Sequence, residues 1–156
     1  MKKTGLASSP VIAFVATTDP PRAKRFFAVT MGLRLVSEDS FALVFDAGGT
    51  MLRVVTVQEL HPAPFTVLGW IVPNIHETIV DLKQKGVSFQ RYEGMGQDDD
   101  GIWTSPSGAA VAWFKDPDGN TLSLTEFEKP RTRVGSSRAV RSRLRQNRKH
   151  SGGKSR

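Results

Sequence analysis

The chain has 156 residues, 38% of them hydrophobic and none of them cysteine, which leaves room for one ordinary domain or two small repeats sharing a core. The missing cysteine excludes disulfides, zinc thiolate sites and Cys nucleophiles, and it suits a reducing cytoplasm. The net charge of +7 is uneven: residues 1–128 hold 11 Lys/Arg and 15 Asp/Glu (11 − 15 = −4), whereas residues 129–156 hold 11 Lys/Arg and no acid.

Residues 1–9 read as an N-terminal arm. Lys2-Lys3 precede an apolar stretch ending near Ala16, as in a signal peptide, but Ser8-Ser9-Pro10 interrupts it, and Val11 to Ala16 fits better as a strand. No run approaches the ~20 apolar residues of a membrane helix, so no membrane partner is expected. Asp19 is placed as a helix N-cap with Pro20 at the first helical position, where its missing N–H costs nothing. Ala23, Phe26, Phe27 and Thr30 then share a helix face, and Gly32 stops the helix. Leu33–Val36, Phe41–Phe45 and Met51–Val55 follow as strands, with Gly48-Gly49 in the last turn.

After a His61-Pro62-Ala63-Pro64 linker the pattern returns. Thr66 to Val72 is a strand, and Asn74 caps a helix with Glu77 at capping-box spacing. Ile75, Ile79 and Leu82 form its buried face and Gly86 its stop. Val87–Gln90, Ala109–Lys115 and Thr121–Phe127 are the strands expected next. The chain is therefore two βαβββ units, residues 10–60 and 65–128. Asp19 and Asn74 differ by 74 − 19 = 55, and Gly49 and Gly119 by 119 − 49 = 70, so the second unit carries 70 − 55 = 15 extra residues. They fall around Tyr92 to Ser107, with Asp98-Asp99-Asp100-Gly101-Ile102-Trp103 inside; a loop that long in a compact domain is functional or mobile. Between the last two strands, Asp116-Pro117-Asp118-Gly119-Asn120 is turn chemistry: Pro117 presets φ for a type I turn and Gly119 relieves the position after it.

Residues 129–156 contain only Val134, Val140 and Leu144 as large aliphatics, too few to offset ordering entropy. The expectation is a disordered basic tail, either a polyanion-binding arm for nucleic acid or a solvated segment with incidental affinity. It has no aromatic for base stacking.

The Phe26-Phe27-Ala28-Val29-Thr30-Met31-Gly32-Leu33 helix end and the Asp-Pro-Asp-Gly-Asn hairpin resemble the glyoxalase/bleomycin-resistance/extradiol-dioxygenase (vicinal-oxygen-chelate) superfamily over residues 10–127. The resemblance implies an α+β fold, two βαβββ modules forming a curled mixed sheet around a cleft, and a homodimer. It also implies up to four His, Gln or Glu metal ligands from the first and last strand of each module. Those positions here are Ile12, Arg53, Val67 and Ser123, none a good ligand, and Arg53 would repel a cation. No metal or other cofactor is therefore expected.

His61, His76 and His150 fall in the linker, a helix's first turn and the tail, where surface roles suffice. Asp98 to Asp100 could hold a metal loosely or form a solvated acidic loop. No Ser-His-Asp set and no Gly-rich phosphate loop is present.

What remains is a pocket. Ile12, Phe14 and Ala16 share one strand face and Thr121, Ser123 and Thr125 another, while Arg53, Val67 and Gly69 join by family position. That face suits a small hydrophobic anion, with Arg53 as its carboxylate or phosphate partner. Phe14, Ser123, Trp103 and Trp113 complete the expected ligand-binding set. Whether Trp103, Trp113 and Tyr92 line the cleft or pack is open, whereas Trp70 should face the helix layer. Two functions follow: a metal-free binding protein for a small molecule, or a glyoxalase- or dioxygenase-like enzyme with a non-standard metal site.

Overall fold

A computed structural model describes residues 5–130. The expected disordered tail thus lies, from residue 131 on, outside the described residues. Strand β1 (Ile12–Thr17) leads into α1 (Pro20–Arg25), and the chain continues as one π-helical turn, Phe26–Thr30. Asp19 caps this helix, its Oδ1 accepting from the Arg22 N–H at 3.1 Å. The π turn presents Phe26 and Phe27 to the core as adjacent edge-to-face rings. Strands β2 (Arg34–Glu38), β3 (Ala42–Ala47) and β4 (Thr50–Thr56) complete the first module. Gly48 and Gly49, with φ of 62° and 90°, make the two-residue turn whose twist suits a tight hairpin.

The second module repeats this plan: β5 (Thr66–Ile71), α2 (Ile75–Gln84), β6 (Trp103–Thr104), β7 (Ala110–Lys115) and β8 (Thr121–Glu126). Asn74 caps α2 through the Glu77 N–H at 3.1 Å. Among the described residues the Glu77 side chain does not complete the expected capping box at the Asn74 N–H; the next free donor of the helix start, the Ile75 N–H, is taken by Glu126 Oε2. Val87–Gln90 is not a strand. Only Phe89 forms a bridge, to Phe114, and the edge place beside β7 goes to β6, which the inserted segment provides.

Each module is a four-stranded mixed sheet, ordered β1-β4-β3-β2 and β5-β8-β7-β6, and the two sheets are not closed into a barrel. The first and last long strand of each module pair in parallel, Phe14 opposite Arg53 and Gly69 opposite Ser123. Both helices face one continuous core containing Phe27, Phe45, Leu52, Ile75, Ile79, Phe114 and Leu122. Trp70 packs into it, its ring 6.5 Å from that of Phe114. Because both helix layers share this core, the opposite faces of both sheets are left open together. Among the described residues no helix is long and apolar enough to cross a membrane.

Candidate functional site

The turn between β7 and β8 does more than reverse the chain. The Gly119 N–H donates to Asp116 O at 3.0 Å, which closes the expected turn. Asp118 then reaches into the first module. Its Oδ2 accepts from Thr17 Oγ1 at 2.6 Å, and its Oδ1 from Thr18 N, Thr18 Oγ1 and Arg22 Nη2 at 2.9–3.2 Å. Asn120 Nδ2 donates to Ala16 O and to Asp116 Oδ2. Burial raises the Asp118 pKa, but the Thr17, Thr18 and Arg22 contacts outweigh it and hold the carboxyl below its ordinary range. Asp116 moves the other way, pushed up by burial against the pull of Asn120. This clasp fixes the end of β1 to the start of β8 and so sets how the two open faces meet; β1 lies against β5.

On the first module's open face stand Ile12 and Phe14, 49% and 58% exposed, with Met51, Arg53 and Val44 beside them in register. Arg53 is half-buried, and among the described residues it enters no ion pair and no hydrogen bond. Asp39 feels its charge, but that carboxyl is held down first by the Phe41 and Ala42 N–H groups.

On the second module's open face, Trp113 sits opposite Ser123, and Ser123 opposite Gly69. The Trp113 indole crosses β8 to donate from Nε1 to Thr66 Oγ1 at 3.0 Å. Tyr92 meets it edge-on at 5.7 Å and Trp103 lies 6.2 Å away, tilted by 36°. These three rings form one ledge on the open side, packed against each other. The expected ligand residues fall into two groups, Phe14 with Arg53 on one sheet and Ser123, Trp113 and Trp103 on the other, either side of the β1–β5 seam.

Val67 does not join them. The register slips between Thr66 and Leu68, and the bulged Val67 packs against the core. Of the four positions where relatives would place metal ligands, three face the open side, and they offer a hydrocarbon, a guanidinium and one hydroxyl. That donor set does not fit a divalent cation. Among the described residues no three His, Cys, Asp or Glu side chains converge on a metal position. Asp98 is a loop organiser, its Oδ1 accepting from the Asp100 and Ile102 N–H groups, and Asp100 pairs with Lys83 Nζ at 3.1 Å. The inserted segment is therefore tied to α2 and to the core through buried Ile102.

Residues 10–124 match the model of the Glyoxalase/Bleomycin resistance protein/Dioxygenase superfamily. The chain belongs to this superfamily. Solved members share its fold. A glyoxalase family protein from Enterococcus faecalis aligns with a TM-score of 0.63 at 18% identity, covering 78% of this chain and 100% of its own. A lactoylglutathione lyase from Agrobacterium tumefaciens gives 0.61 at 16%, covering 77% and 95%. A superfamily member from Sphaerobacter thermophilus gives 0.61 at 20%, covering 78% and 99%. No curated protein matches the sequence.

Proposed function

We propose that this superfamily member binds a small organic anion on the open face of its two sheets, without a metal. The observation that carries the reading is Arg53: a half-buried guanidinium with no ion pair or hydrogen bond among the described residues, set beside exposed Phe14. A desolvated Arg presents donors in a planar fork that matches a carboxylate or phosphate, and the apolar residues around it suit a hydrophobic remainder. The metal-free part rests on the donor set at Ile12, Arg53 and Ser123.

Elemental analysis of the dialysed protein should find well under one equivalent of Zn, Ni, Mn or Fe per chain. One equivalent of any of them would sink the metal-free reading and favour the enzyme alternative. A thermal-shift screen of organic acids then supplies the ligand; acids that all leave the melting temperature unmoved would count against anion binding.

The setting is cytoplasmic, in line with the missing cysteine. The molecule pairs with a second copy, which would cover apolar surface such as Phe41, Phe65 and Ile71, all exposed. The domain of residues 10–128 folds without the basic segment, which acts as an arm for nucleic acid or another polyanion. Removing residues 129–156 should shift the melting temperature by no more than a few degrees, since surface and terminal changes usually cost under ~0.5 kcal/mol. A drop well beyond that would mean that the segment docks. Any nucleic-acid affinity of the intact chain should fall steeply with salt, and the truncated chain should lose it.

A further inference from the structure

Helix α2 keeps one face out of the core. Ile75, Ile79 and Leu82 are buried, whereas His76, Glu77, Val80, Asp81 and Gln84 line a shallow groove of about 330 Å³ on the outer side. Val80, 54% exposed, is its apolar spot, with Glu77 and Asp81 beside it. Asp81 is matched by Lys85, and Asp100 by Lys83 and His76, but Glu77 enters no ion pair among the described residues. The inserted segment, tied to α2 through Asp100, adds Glu93, Asp98 and Asp99. Residues 74–102 thus hold 3 Lys/Arg and 6 Asp/Glu (3 − 6 = −3), most of the −4 carried by residues 1–128.

The basic segment leaves the domain next to this face. Glu126, at the end of β8, accepts from the Ile75 N–H in the first turn of α2 at 2.8 Å, and the Val72 N–H donates to Thr125 O. Pro130 follows four residues later, and 156 − 130 = 26 residues lie beyond it. They hold 10 Lys/Arg and no acid. The 10 residues of α2 span about 15 Å, so a fraction of those 26 is long enough to run along it. Arg138, Arg141, Arg145 and Arg148 recur every three or four residues, with Val140 and Leu144 between them, a period that sets a cationic stripe beside an apolar one.

We propose that residues 131–156 rest on the outer face of α2, the arginines against Glu77, Asp81 and the neighbouring acids of the inserted segment, and Val140 with Leu144 over Val80. Opposite charges on one chain, joined by a short connection, meet at high effective concentration, so a weak contact suffices. Exposed ion pairs add little stability each, which keeps the contact within the few degrees expected for truncation. This goes beyond the reading of the segment as an arm: it names where the arm lies when no polyanion holds it. Nucleic acid then competes with α2 for the same arginines.

The chain has no cysteine, so Ser142→Cys gives the full chain a single site for a nitroxide label. At low salt the label should strip most of the intensity from the amide signals of residues 76–84 and spare those around Phe41 in the other module. The loss should fade at high salt, since screening cuts the reach of charge from ~30 Å at 0.01 M to about 3 Å at 1 M. Glu77→Gln with Asp81→Asn should also restore the signals; both side chains are exposed, so the fold should hold. Should that pair disturb α2, Arg141→Gln with Arg145→Gln leaves the domain untouched and must give the same recovery. A single-stranded oligothymidylate should restore them too.

Broadening spread evenly over the surface, or none, would overturn the proposal. So would α2 broadening that ignores salt and all four substitutions. Broadening carried from a labelled chain to an isotope-marked, unlabelled one in a mixture would also overturn it, because the segment would then reach a second copy. The arm reading is judged apart: with an oligonucleotide that does not bind and α2 signals still broadened, the resting place stands and the arm reading falls. An oligonucleotide that binds the full chain yet leaves the α2 signals broadened would overturn the competition for the arginines.

Discussion

Asp118→Ala should lower stability by about 2–4 kcal/mol, because it leaves the buried Thr17 hydroxyl without its acceptor and removes the charged acceptor of the exposed Thr18 and Arg22 donors as well. Thr17 is fully buried and its hydroxyl donates to Asp118 at 2.6 Å, so the substitution leaves that donor unpaired. The melting temperature should fall by roughly 10 °C for a domain of this size. Arg22→Met should cost far less: its side chain is 47% exposed, and such ion pairs are worth under ~1 kcal/mol. Thermal melts of the two variants separate a buried hydrogen-bond clasp from a surface charge pair. An Asp118→Ala protein that melts with the parent would show that the modules hold together without the clasp.

The same residue has a pH signature. Its folded pKa lies below the ordinary 3.8, so its contribution is present above that value and is lost as pH falls through the folded pKa. Asp118→Asn lacks this loss. The gap in stability between parent and variant should therefore be widest near neutrality and narrow below about pH 3.8. Asp116, whose pKa is raised first by burial and in part by the Asp118 charge, works in the opposite sense; Asp118→Asn removes that charge and so eases the Asp116 shift too, and the comparison reads the two carboxyls together. A gap that stayed constant down to low pH would assign the effect to shape rather than charge.

Much of the fold was legible because its signals are local. The Asp19 and Asn74 caps, the Gly86 stop and the Gly48-Gly49 turn each act within a few residues, and each appears where the sequence places it. Errors arose where tertiary partners decide. Val87 and Phe89 alternate like a strand, but they fill the core with a single bridge while β6 takes the sheet edge. The bulge at Val67 breaks the parity that would have aimed it at the cleft. Asp116-Pro117-Asp118-Gly119-Asn120 is fully explained as a turn. Nothing in its spacing says that Asp118 will find Thr17, 101 residues away. Gly69 carries a readable sign too: a glycine in a strand interior points to something standing close above it, here the Ser123 hydroxyl.

Arg53→Met should weaken binding of the best organic acid from the thermal-shift screen by roughly 2–3 kcal/mol, in the lower part of the range for truncating one partner of a buried charge pair because Arg53 is only half-buried. Arg53→Lys keeps the charge but loses the planar fork, so it should recover only part of that affinity. Neither change should unfold the protein. Arg53 has no partner to strand among the described residues, and methionine preserves an apolar stem beside Val44 and Phe14. Calorimetry on the three proteins with one acid, at low and at moderate salt, measures the term directly. Screening should shrink the parent's affinity for the acid far more than that of Arg53→Met, since the charge that salt opposes is gone from the variant. If Arg53→Met binds the acid as tightly as the parent at both salt concentrations, the guanidinium faces solvent rather than ligand. Recognition must then come from the aromatic ledge and the Ser123 hydroxyl alone.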